Sequence, residues 1–207
     1  MKNVLSTVII LIGLCFEIEL LAAVDPSVAE IRFCRAYVSE NEDCSNPVFL
    51  ASGSSNCSTF NMNGSPTLGQ GNIPEKKYKC FIMEMMDNVH AVSSGSSGSA
   101  CVAGTEINLD ICQAGSSTMN PFTLALIPCT SKIDRVFLYI SVVSMSEAGE
   151  NPFQPPRNGV VTNGIKLQNE IDTTTGSGSF IFDTRGTIIT LNGACNMEAP
   201  KFGFRNN

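Results

Sequence analysis

Arg135-Val136-Phe137-Leu138-Tyr139-Ile140-Ser141-Val142-Val143-Ser144-Met145 is the best candidate in this chain for a central strand. A strand covered on both faces reads as a continuous apolar run rather than as an alternation. No long apolar period of 3.6 residues occurs after residue 23. The chain therefore reads as mainly β.

Working outward, Tyr78 to Met86 is a second β-rich run, and Asn88 begins a turn. Ser93 to Ser99 is a low-complexity flexible loop of serine and glycine. Glu106 to Cys112 alternates, with Ile107, Leu109 and Ile111 on one face and Asn108 and Asp110 on the other. Phe122 to Ile127 reads as a strand, and Asn151 to Asn158, with three prolines, as a loop. The C-terminal quarter predicts two hairpins. Asn163-Gly164 joins Val160-Val161 to Ile165–Leu167, and Asp183-Thr184-Arg185-Gly186 joins Phe180–Phe182 to Thr187–Leu191. Residues 25–37 fit either a helix opened by Asp25-Pro26 or a strand. Ser39 to Pro74 is polar, with Val48 to Ala51 its one strand signal; too little apolar area is available there to offset chain entropy by burial. The expected architecture is an antiparallel sandwich or barrel-like part over residues 116–207. A loop-rich, disulfide-stapled part covers 24–115, and one domain over 24–207 fits as well.

The N-terminus sets the compartment. Met1-Lys2 precedes an apolar stretch from Val4 to Cys15, and Leu21-Ala22-Ala23 follows with small residues. That order predicts a secretory signal peptide over residues 1–23. A membrane-spanning alternative would have to bury Glu17 and Glu19, so no stable span is expected after cleavage. The prepilin pattern is absent, because Gly13 places Ile18 where a glutamate is required. Cys15 leaves with the peptide. Eight cysteines remain: Cys34, Cys44, Cys57, Cys80, Cys101, Cys112, Cys129 and Cys195. An even number in an exported chain predicts four disulfides. Six precede Gly115 and two follow it, which predicts a Cys129–Cys195 bridge and three bridges among the others.

Composition excludes several function classes. Without Lys2, Glu17 and Glu19 the chain has 12 basic and 17 acidic residues and no basic run. Nucleic acid and anionic membrane surfaces both demand basic patches. Metal thiolates are not expected, since no CxxC pair occurs and His90 is the single histidine. No cofactor is indicated: Gly176-Ser177-Gly178 lacks the third glycine and the following helix of a dinucleotide loop.

Catalytic candidates meet simpler explanations. His90 with a serine of the 93–99 loop would make a base and nucleophile, but no acid is placed to orient the ring, and a surface or turn histidine explains it. Glu84, Asp87, Glu106 and Asp110 are candidates for a carboxylate pair in glycoside hydrolysis. Ser39–Asp43 and Asn169-Glu170 with Asp172 are rich in oxygen ligands but lack the spacing of a calcium loop. Asn56-Cys57-Ser58 and Asn63-Gly64-Ser65 are glycosylation sequons. The expected function is an exported, non-enzymatic binding protein of the envelope or extracellular space, meeting a protein or glycan surface. A small secreted hydrolase using His90 or an acidic pair is the first alternative. A structural subunit that self-assembles through exposed β edges is the second.

Overall fold

The computed structural model describes residues 22–54, 57–63, 73–143, 151–156, 165–174, 176 and 178–206. Residues 1–21 of the expected signal peptide and the expected turn at Asn163-Gly164 lie outside them. The elements are β1 (Pro26–Ser39), β2 (Val48–Ser52), β3 (Ser58–Asn61), β4 (Lys77–Tyr78), β5 (Cys80–Ser93), β6 (Glu106–Asp110), β7 (Ser117–Met119) and β8 (Leu126–Pro128). They continue with β9 (Arg135–Ser141), β10 (Ile165–Lys166), β11 (Ile171–Asp172), β12 (Gly178–Asp183), β13 (Ile188–Leu191), β14 (Ala194–Met197) and β15 (Lys201–Asn206). The protein is mainly β, and the 25–37 ambiguity resolves as strand. No helix among the described residues is long and apolar enough to cross a membrane.

Two 14-residue strands, β1 and β5, run antiparallel through the middle of a seven-stranded sheet. Each carries two short partners end to end. Along β1, β3 pairs with Glu30–Phe33 and β2 with Arg35–Val38. Along β5, β9 pairs with Cys80–Met86 and β6 with Asn88–Val92. The sheet is buried on both sides, which is why β5 and β9 read as unbroken apolar runs. Phe81, Met83, Met85, Leu138 and Ile140 face the main core, while Tyr37, Cys80, Ile82, Phe137 and Tyr139 form a second cluster on the opposite face. Each large side chain so buried contributes about 1.5–3 kcal/mol.

Each seam between end-to-end strands is plugged. Between β2 and β3 the Cys34–Cys57 bridge closes the gap, and the Gly53 N–H donates to the Cys34 carbonyl at 2.8 Å. A Cβ at position 53 would stand 2.7 Å from the Phe33 carbonyl oxygen, so only glycine approaches this closely. Between β9 and β6 the plug is Asp87. Its N–H donates to the Asp134 carbonyl, its own carbonyl accepts from Ile111, and its Oδ1 accepts the Asp134 N–H at 2.7 Å. The strand bulges there, because a step of two positions along β1 (Glu30 to Arg32) spans a step of four along β5 (His90 to Met86). Asn88 therefore continues β5 through a bulge instead of opening a turn.

Smaller ribbons cover the sheet, and among the described residues no sheet closes into a barrel. Their pairing corrects the second expected hairpin, while the Val160-Val161 arm of the first lies outside the described residues. β10 runs parallel to β9. β12 pairs with β15, and β13 pairs with β14 through Asn192-Gly193, both at positive φ (53° and 76°). Asp183–Gly186 does turn the chain, with Asp183 holding the Arg185 N–H, but it links two different ribbons. Of Phe122–Ile127 only Leu126 and Ile127 are strand, where they open β8 opposite β7; Phe122–Ala125 is not. The Asn120 side chain accepts the Phe122 and Thr123 N–H groups and folds the stretch into a loop between β7 and β8. The 93–99 serine loop is tied down: the Ser94 N–H donates to Asp25, Ser97 to Cys101, and Ser93 and Ser97 are buried.

All eight cysteines are bridged, as Cys34–Cys57, Cys44–Cys80, Cys101–Cys195 and Cys112–Cys129. The expected Cys129–Cys195 bridge is wrong. β14 packs against β6, which carries Cys195 to Cys101 just ahead of β6, and Cys129 closes a short loop to Cys112 just after it. An even count on each side of Gly115 says nothing about partners once β5 and β9, from opposite sides of that residue, lie in one sheet.

Candidate functional site

The second face of the sheet is laid out in cross-strand rows. Phe49, Tyr37, Ile82 and Tyr139 form one row, and Ser52, Arg35, Glu84 and Phe137 the next. Arg135 stands opposite Met86 one row further. The β7–β8 lobe covers one end of this face. The Thr118 hydroxyl takes the Phe137 N–H at 2.8 Å, and the Tyr139 hydroxyl donates to the Met119 carbonyl at 2.8 Å. Burial raises the Tyr139 hydroxyl well above the ordinary phenol range.

Glu84 organises the rest. Its side chain is 5% exposed, and three groups converge on it. The Tyr37 hydroxyl donates to Oε2 at 3.1 Å, Arg135 reaches Oε1 at 3.3 Å, and Arg35 lies 3.9 Å from Oε2. Burial raises the Tyr37 pKa. Two guanidinium groups thus share one carboxylate, and the cluster keeps a net positive charge on an acidic protein. Both arginines are about half exposed. A cleft of about 340 Å³ opens between Arg35, Phe49 and Arg135, with Ser52, Gly53 and Ser54 along it.

Apolar side chains stand out around this cation pair. Tyr37 touches Phe49 edge-on at 6.1 Å between ring centroids and Phe122 at 5.1 Å. Phe49 is 54% exposed and Phe122 56%. The loop that carries Phe122 also exposes Leu124 (66%) and Leu126 (58%). Leu124 sits at φ 56°, a conformation that costs a branched side chain on the order of 1–2 kcal/mol, held by its N–H donating to the Asn120 carbonyl at 2.9 Å. The loop thus strains its backbone while presenting leucine and phenylalanine to solvent. The face offers guanidinium donors, serine hydroxyls, aromatic rings and alkyl groups side by side.

The sequence candidates fall elsewhere. His90 is not a turn residue. It lies within β5 opposite Glu30 and Asn108, with Nδ1 3.4 Å from the Glu30 carboxylate, so the register supplies an acid that spacing did not reveal. The Ser93 and Ser94 hydroxyls go to the Gly95 and Asp25 carbonyls. Glu106 and Asp110 share a face of β6, and Asp110 meets Asp87 rather than Glu106. Asp87 is fully buried and its carboxyl is pushed up to about 6, by burial first and then by the Asp110 charge, with the Asp134 N–H opposing. In the oxygen-rich stretches Glu40 pairs with Lys76, Glu42 with Lys79, and Asp172 with Lys77. No cluster of three metal-ligating side chains occurs among the described residues. Glu84 was visible as a carboxylate, but its partners Arg35, Tyr37 and Arg135 were not; the available signal was a charge inside the apolar run Phe81–Met86. No protein-family model, curated protein or solved structure matches this chain, so the chemistry of this face is the ground on which its function is read.

Proposed function

We propose that the protein is exported, loses residues 1–23, and acts as a non-enzymatic recognition protein through the Arg35–Arg135 face. Four bridges suit an oxidising compartment. The carrying observation is the combination of exposed Phe49, Phe122 and Leu124 with two arginines that share one buried carboxylate. That combination suits a protein partner presenting a carboxylate beside apolar side chains: arginine forks carboxylates, and aromatic and arginine side chains dominate interface energies. Aliphatic Leu124 and Leu126 favour a protein over a glycan.

A displayed random-peptide library tests this. Enriched peptides should carry Asp or Glu next to large apolar residues. Their binding should weaken with salt and be lost in Phe122→Asp and in Arg35→Glu. Peptides without acids, or binding indifferent to both changes, would refute the reading. A second reading, assembly between copies, is favoured by β2: its outer edge is unpaired among the described residues and exposes Val48 and Phe49. Mass measured at two concentrations distinguishes it.

A further inference from the structure

The opposite side of the sheet holds a second feature, independent of the recognition face. A cavity of about 150 Å³ lies between the core face of β1, β5, β6 and β9 and the ribbons that cover it. Met62, Met83, Met85 and Met197 line it together with Phe153 and Phe202, all buried. A void of this size lined by apolar groups stays dry and accepts a benzene-sized molecule. Four methionines make the lining adaptable, since an unbranched thioether repacks at low cost. Glu198, Ala199 and Pro200, the link between β14 and β15, form the rim. Glu198 and Ala199 are exposed, so the rim meets solvent. Glu198 is the sole ionisable side chain among the described residues lining the cavity. An apolar body inside and a cation at the mouth would satisfy both.

We infer that this cavity is a binding site for a small apolar amine, with its hydrocarbon among the methionines and its ammonium at Glu198. Benzylamine, toluene and benzoate are suitable probes, followed by thermal unfolding and titration calorimetry of the oxidised protein. Toluene and benzylamine should raise the melting temperature. Benzylamine should bind about tenfold more tightly than benzoate, the size expected for one charge contact at a wet rim. Glu198→Gln, at an exposed position, should abolish that preference while leaving toluene binding unchanged. Leu109→Phe and Ile111→Phe, two partly buried positions on the lining, should each fill the space and remove the response. No response to toluene or benzylamine in the wild type overturns the site. So does a response that survives both filling variants. Benzoate bound as tightly as benzylamine overturns the amine class.

Discussion

Asp87→Asn is expected to stabilise this protein at neutral pH, although it alters a fully buried, hydrogen-bonded residue. Asp87 Oδ1 is satisfied by the Asp134 N–H, but Oδ2 has no donor and neither does Asp110 Oδ1 nearby. Burial and the Asp110 carboxylate raise the Asp87 carboxyl from 3.8 to about 6. The Asp134 carboxylate adds a smaller repulsion and is itself held low by N–H groups of Ser131 and Thr130. A folded pKa above the unfolded one means that the folded state holds the proton more tightly. The stabilisation is fully present below about pH 3.8 and is lost as pH rises through about 6. Raising the carboxyl from 3.8 to about 6 corresponds to about 3 kcal/mol across that window. Asparagine mimics the protonated form: its oxygen still accepts from Asp134, and its amide can donate to Asp110 without charge. The variant should match the wild type near pH 4 and exceed it by up to about 3 kcal/mol at pH 7.5. Urea unfolding with bridges intact at both pH values measures this, and the difference between the proteins cancels other titrating groups. A variant less stable than the wild type at pH 7.5 would show that the seam needs the carboxylate's charge and would refute the reasoning.

Three further outcomes are expected. Replacing Cys101 and Cys195 with serine should cost about 4.5 kcal/mol against about 3 kcal/mol for Cys112 and Cys129, because the closed loops are 94 and 17 residues long; denaturant midpoints of the two variants give the order. Glu84→Gln should cost about 2 kcal/mol, since Arg35, Arg135 and Tyr37 lose a charged acceptor while both arginines keep water, and thermal unfolding at pH 7 reads it. Leu124→Gly should raise stability by about 1 kcal/mol by releasing the positive φ, yet weaken peptide capture, a split that unfolding and binding measurements on one sample expose.

Fold class and the strongest strands were legible because β5 and β9 are covered on both faces and β6 on one. Which strands pair was much less so. The four-residue turn at Asp183–Gly186 resembles a hairpin connector, while the true one, Asn192-Gly193, sits between Leu191 and Ala194, which lack an apolar alternation. Asn88 reads as a turn residue because asparagine usually is one; here the bulge at the β9–β6 seam absorbs it. Phe122–Ile127 reads as a strand because apolar runs are normally buried, and its exposure is what makes it a candidate site. The arginine–glutamate cluster joins three strands distant in sequence, so only the register of β1, β5 and β9 assembles it.

With the export proposed above, the Cys101–Cys195 bridge also constrains the order in which the chain can finish folding. Threaded outward N-terminus first, Cys101 reaches the oxidising side long before its partner. At about 5–20 residues per second the 94 residues from position 102 to Cys195 take roughly 5 to 20 s to appear. During that interval Cys112 and Cys129 arrive, and both are within reach of the waiting thiol. Disulfide exchange occurs on the scale of seconds to hours, so wrong partners have time to form. On the proposed route the native 101–195 pairing cannot form before Cys195 arrives, and a catalyst of exchange that undoes earlier choices hastens it.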